Sequence, residues 1–475
     1  MTFRILLGFT ILFLTHLSLA HYTYEFSKES TTERLRTDVY TLASDDMEGR
    51  EAGTKGEKMA ASYIKEQMQE IGLQPLFDES FFQHFKFYGE RSLGPDNFLV
   101  INDQQFELGE DFFVMPNAFN GTVNIEAVYV GFGMETEKHN DYDGLSDLKG
   151  KIFIMEMFLP EVLEDHARTQ RPSVMYEKID RAVDKGASAI IFVNTDSWRN
   201  DPNTRLNQNM EDAPIPILFA KDEVFEFWQQ NGRDKFVFLA TEMLRESYTA
   251  VNVAGYWDND AEHTVVIGGH YDHLGFGGTG SRSSNERIIH PGADDNASGI
   301  AAMLEASRFL TNSDLTANNY LFIAFSAEEK GLLGSRYFAN SDAYDMNDVN
   351  YMFNFDMIGR LENNSLSLIG TGSSPVWDEI IDSYSAENLI IRKNPGGIGG
   401  SDHTNFYLQD IPVLFYFTGI HEDYHRPGDT PDKINYQGMT QILSLSYFMI
   451  EKLENKGKLE FSSTQQNART RERRE

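Results

Sequence analysis

The second half of this sequence predicts an α/β fold: a mostly parallel central sheet sandwiched by helices. From Val251 onward, continuous apolar runs at 264–268, 320–325, 351–355 and 412–417 alternate with amphipathic helical patterns at 297–310, 376–386 and 439–453. Strands that are apolar along their whole length belong to a sheet covered on both faces. Regular strand–helix alternation makes that sheet mostly parallel. Such sheets gather their functional residues at the carboxyl ends of the strands.

The first half is organised differently. Helical patterns cover 31–43 and 56–71; in the second, Ala60, Tyr63, Ile64, Met68 and Ile71 share a face and Gly72 supplies the stop. A polar, glycine-punctuated loop, 45–54, lies between them. Over 93–249 the texture changes to short strands and turns, with a helix at 176–185. No cluster of histidines and acids falls there, so this stretch is expected to be a β-rich, non-catalytic insert. The expected layout is a leader at 1–20, the first part of the main domain at 21–92, the insert at 93–249, the catalytic part at 250–456 and a polar tail at 457–475.

Composition narrows the function. Phe occurs 35 times and hydrophobic residues make up 41% of the 475, ample for packed cores. With 41 basic against 73 acidic side chains, the net charge of -32 repels nucleic acid and anionic membrane surfaces. There is no cysteine, so disulfides, thiolate metal sites and a lipidated cysteine anchor are all excluded. Arg4, the apolar run 5–14 and Ser18-Leu19-Ala20 read as a cleavable secretory leader. That run is shorter than the ~20 residues a spanning helix needs. The expectation is a secreted or periplasmic protein without stable membrane insertion.

Each predicted strand delivers metal-binding side chains to one edge. The first ends in Gly269-His270-Tyr271-Asp272-His273, and the next helix opens with Gly292-Ala293-Asp294-Asp295-Asn296. The second ends in Ala327-Glu328-Glu329, the third in Phe355-Asp356, and Tyr424-His425 follows the fourth. Two histidines and three carboxylates suit a pair of divalent cations sharing one carboxylate. Imidazole and carboxylate without thiolate favour Zn2+, with Co2+ or Mn2+ as substitutes.

These motifs, with the Glu-Gly-Arg-Glu-Ala-Gly-Thr stretch at 48–54, resemble the co-catalytic zinc aminopeptidase family. That family includes aminopeptidase Y, plasma glutamate carboxypeptidase and transferrin-receptor-like members, and the insert resembles its protease-associated domain. The resemblance implies that His270 and Asp356 hold one zinc, that Glu329 and His425 hold the other, and that Asp295 bridges. It makes Glu328 the general base and Asp272 the residue that orients His270 through its second ring nitrogen. Tyr424 becomes the stabiliser of the tetrahedral oxyanion. His273, Asp294, His403 and His421 receive no role, while Asp402 and Asp429 are expected to support loops. The implied activity is removal of N-terminal residues from short peptides. The alternatives are a carboxypeptidase or dipeptidase of the same family, a glutaminyl-cyclase-like acyltransferase, and a binding ectodomain without catalysis.

Overall fold

The computed structural model describes residues 27–136, 139–159, 172–196, 199–202, 212–233, 235–283, 287–385 and 389–464. The expected leader and the last part of the expected tail lie outside them. Residues up to Phe87 and those from Thr249 onward form one compact unit, and Tyr88–Tyr248 form a second.

The first unit is built on a nine-stranded sheet. At its centre run four parallel strands: β1 (Thr264–His270), β2 (Asn319–Phe325), β3 (Val349–Phe355) and β4 (Val413–Phe417), in the spatial order β2-β1-β3-β4. His270 is opposite Phe325, and Phe355 is opposite Tyr416, so the carboxyl ends finish close together. Met243–Trp257 pairs antiparallel with β2, and Ser365–Ile369 pairs antiparallel with β4.

Every residue of β1, β2 and β3 is buried. Successive side chains point to opposite faces and feed two cores. Val265, Ile267, Tyr320, Phe322, Tyr351 and Phe353 enter the larger one; Val266, Leu321, Ile323 and Met352 enter a smaller one with Phe338 and Phe406. Burial on both sides explains why these strands carry no polar alternation.

Four helices supply nearly half of the larger core: α1 (Lys28–Leu42), α2 (Lys55–Ile71), α3 (Gly299–Leu310) and α4 (Tyr436–Leu453). The Ser27 hydroxyl caps α1 by accepting from the Ser30 amide at 3.1 Å. Gly72 ends α2 in the left-handed region, at φ +95°. The regular part of α3 starts at Gly299, after a wide turn over Ala293–Ser298. That turn carries Asp294 and Asp295, and the Asp429 carboxylate caps both of their amides, at 2.9 and 3.1 Å.

A buried charge network fastens α1 to α3. Glu305 pairs with Arg34 at 2.6 Å and with Arg308 at 3.4 Å, and Arg308 reaches Asp38 at 2.9 Å. Glu305 has no exposed surface, so removing it takes a buried carboxylate from Arg34 and leaves Arg308 to Asp38. Glu305→Ala is expected to lower unfolding free energy by about 3 kcal/mol, read by chemical denaturation.

The second unit has its own eight-stranded sheet and its own core. Its middle strands Gly121–Tyr129, Ile152–Glu156, Ala189–Val193 and Ile217–Ala220 run parallel, and helix Pro172–Asp184 makes one of the crossovers. The outer pairings are antiparallel. The sheet of this unit is therefore mixed, with a parallel centre and antiparallel margins. Fully buried runs such as Ile152–Glu156 and Ala189–Val193 are the mark of its parallel centre. Lys178 is wholly buried there, donating to the carbonyls of Glu156 and Met157 at 2.9 and 3.2 Å.

Candidate metal centre

The loops leaving β1, β2, β3 and β4 converge as the strand ends dictate. His270 is the last residue of β1, Asp356 follows β3, Glu328 and Glu329 follow β2, and His425 lies beyond β4. Three of the turns involved place a non-glycine residue in the left-handed region: Ala327 at φ +55°, Met357 at +54° and His425 at +57°. Such conformations cost about 1–3 kcal/mol each and persist where surrounding structure imposes them.

The side chains form two triads that share Asp295. His270 Nε2 lies 3.4 Å from Asp295 Oδ1 and 3.4 Å from Asp356 Oδ1. His425 Nε2 lies 3.1 Å from Asp295 Oδ2 and 3.3 Å from Glu329 Oε2. A tetrahedral ion with bonds of about 2.0–2.1 Å keeps its donor atoms about 3.3 Å apart, so these four imidazole–carboxylate distances have the spacing of metal ligands. Both imidazoles are also in the matching tautomer. His270 Nδ1 donates to the Asp272 carbonyl at 3.1 Å and His425 Nδ1 donates to the Gly280 carbonyl at 2.9 Å, so Nε2 is the nitrogen each ring turns to the carboxylates. Among the described residues no Lys or Arg ion-pairs with Asp295, Glu328, Glu329 or Asp356, and Asp356 Oδ1 is buried without a hydrogen-bond partner. Imidazole is the one cation that pairs directly with these carboxylates among the described residues, and two divalent cations fit them.

The comparisons with known proteins agree with this geometry. Residues 252–449 match the model of peptidase family M28. That span is similar to peptidase family M28. An aminopeptidase of Pseudomonas aeruginosa is 26% identical over 332 residues, which are 68% of this chain and 56% of that protein. The aminopeptidase YwaD of Bacillus subtilis is 26% identical over 340 residues, 66% of each chain. The chain thus spans little more than half the length of the first of these relatives. Among solved structures, the aminopeptidase from Aneurinibacillus sp. strain AM-1 superposes with a TM-score of 0.51 at 23% identity, over 92% of this chain and 97% of that one. That likeness supports the fold.

Within this site, the Asp272 carboxylate acts on a different partner from the one expected. Its oxygen is 3.8 Å from His270 Nδ1, too far for a hydrogen bond. The backbone carbonyl of Asp272 holds the ring instead. The carboxylate accepts the amide of Glu328 at 3.0 Å and points at that of Glu329 at 3.4 Å, so it shapes the Glu-Glu turn. Burial pushes the pKa of Asp272 up to about 8, with His270 opposing.

His273 joins the site without having been assigned to it. Its Nδ1 is 2.8 Å from Glu329 Oε1, a hydrogen-bond distance shorter than two donors on one ion keep. It therefore fixes Glu329 through the oxygen that His425 does not face. Its position directly after His270-Tyr271-Asp272 was the available signal. Gly280, in the Gly- and Ser-rich loop after β1, is a further contributor, through its carbonyl on His425.

Glu328 belongs to neither triad. Its Oε2 lies 4.0 Å from His270 Nε2, and its side chain keeps 11% of its surface exposed. Burial holds its pKa well above the carboxylate range; His270 opposes this, and the charge of Glu329, Asp402 and Asp356 adds to it. Asp295 is the opposite case: against burial, hydrogen bonds from His270 and His425 keep it ionised. Tyr424 stacks on His425 at 3.8 Å, with the Arg282 guanidinium 4.7 Å from its ring. Burial and the neighbouring carboxylates raise its phenol pKa.

Asp294 and His421 form a separate pair at 3.2 Å. His403 is fully buried, stacked on Phe415 at 4.7 Å, with both ring nitrogens unpartnered. Burial pushes its pKa down to about 3. A histidine depressed in the folded state binds its proton more readily when unfolded, so its contribution is present above about pH 6.5 and is lost as pH falls towards 3. His403→Phe is expected to flatten the acid limb of the stability curve of the chelator-treated protein, measured by denaturation between about pH 7 and pH 4.

Proposed function

We propose that the M28 domain hydrolyses the N-terminal peptide bond of short peptides with two zinc ions and Glu328 as proton carrier. The observation that carries this reading is the pair of donor triads sharing Asp295, beside a glutamate that joins neither. His270 and Asp356 are assigned to one ion, Glu329 and His425 to the other, and Asp295 to both. Two divalent cations bound there supply the charge that polarises a scissile carbonyl and acidifies water.

The chain's own groups do the rest. Glu328 Oε2, partly exposed beside His270, takes a proton from the attacking water and returns it to the leaving amine. Asp272 and His273 keep the Glu328–Glu329 turn in place from either side. Tyr424, packed on His425, is assigned the hydrogen bond to the tetrahedral oxyanion. The surplus of carboxylates favours a substrate that brings a positive charge, which the free α-ammonium of a peptide does. The aminopeptidase names of the curated relatives point the same way. The residues at 1–20 support export of the protein.

The test is hydrolysis of aminoacyl-p-nitroanilides by the zinc-loaded protein, with an N-acetylated control, beside Glu328→Ala. Free-amine substrates alone are expected to turn over, and the variant is expected to lose about 100- to 10,000-fold in kcat with its zinc content unchanged. Cleavage of the acetylated control would contradict the N-terminal specificity. Full activity of the variant would remove Glu328 from the reaction.

A further inference from the structure

The Glu-Gly-Arg-Glu-Ala-Gly-Thr stretch reads in sequence as a polar loop, yet Arg50 at its centre has no exposed surface at all. Its guanidinium makes four hydrogen bonds, all to backbone carbonyls. Nε donates to Tyr271 at 2.7 Å, Nη1 donates to Leu42 at 2.6 Å and to Pro291 at 2.7 Å, and Nη2 donates to Gly292 at 2.8 Å. Tyr271 is the residue after His270. Pro291 and Gly292 lead into the turn that carries Asp295. One planar group therefore ties the end of α1 to two of the three loops from which the first triad projects.

The backbone around Arg50 repeats the pattern. Its carbonyl accepts from the His273 amide at 3.2 Å, and the Gly49 carbonyl accepts from the Gly275 amide at 2.9 Å. Gly49 sits at φ +67°, and a Cβ there would collide with the carbonyls of Gly275 and His290. Only glycine lets the segment come this close. Arg50 also carries a fixed positive charge into an acidic region: the carboxylates whose charge reaches it are Asp295, Asp272, Asp429 and Glu329. A buried guanidinium with carbonyl partners alone is costly unless such a field surrounds it.

We propose that Arg50 is the positioning residue of the metal centre, a guanidinium clamp that sets the His270 loop against the Asp295 turn at the spacing an ion requires. The assignment rests on the metal centre described above. A planar five-donor fork is what the four carbonyls need, and an ammonium cannot reproduce it.

The experiment titrates zinc into chelator-treated wild type, Arg50→Lys and Arg50→Met, in competition with a chromophoric chelator. Both variants are expected to lose about tenfold or more in zinc affinity, with lysine failing to rescue it. A merely structural arginine would lower the melting temperatures of metal-free and zinc-loaded protein alike and leave the affinity unchanged, which would overturn the proposal but not the centre. Hydrogen exchange on the wild type keeps the question open to test should the variants not fold. Zinc is expected to protect the amides of 43–50, a segment without a ligand, together with those of 270–273. Protection confined to 270–273 would also overturn the clamp. A wild type that binds no zinc would overturn the centre and the clamp together.

Discussion

Asp272, Asp295, Glu328, Glu329 and Asp356 crowd the carboxyl edge of one parallel sheet, and three of them are at most 7% exposed. Two like charges about 4 Å apart at a partly buried site repel by about 4 kcal/mol, so this arrangement needs positive charge close at hand. Imidazoles answer part of that need, since His270 and His425 each touch two carboxylates. Arg50 answers another part from beneath the loops. The remainder defines the centre: carboxylate oxygens held about a ligand's distance apart, with the imidazole Nε2 atoms turned towards them, are arranged for divalent cations.

That demand explains features that look unrelated. The left-handed residues Ala327, Met357 and His425 bend the chain at the points where it would otherwise carry the ligands apart. Asp429 spends one carboxylate oxygen on two adjacent amides so that the Asp294–Asp295 turn presents Asp295 inward. Asp272 holds the Glu-Glu turn by its backbone amides, leaving Glu329 to face His425 and Glu328 outside both triads. The sheet itself contributes rigidity: with every residue of β1, β2 and β3 buried between two cores, the strand ends have little freedom to move.

Much of this was legible in the residues. Continuous apolar strands separated by amphipathic helices announced a covered parallel sheet, and the acids and histidines directly after those strands had to share its edge. What escaped the sequence was anything that depends on close approach between distant segments. Arg50 in a glycine-punctuated stretch looks solvated until Tyr271, Pro291 and Gly292 are seen to surround it. His273 was one histidine among several without a role, because its bond to Glu329 spans 56 positions. The Asp272 carboxylate, two residues from His270, was matched to the nearer partner, whereas the amides it holds arrive from β2. The second unit escaped in another way. Its short strands read as turns and β-structure, and only their complete burial reveals the parallel centre of its sheet.

Asp295 is assigned to two ions at once, and metal stoichiometry tests that assignment directly. Zinc would be counted by mass spectrometry on dialysed wild type, His425→Ala and Asp295→Ala. That assignment predicts two ions in the wild type, one in His425→Ala and none in Asp295→Ala. A wild type holding a single ion, or an Asp295→Ala variant that keeps both, would contradict it.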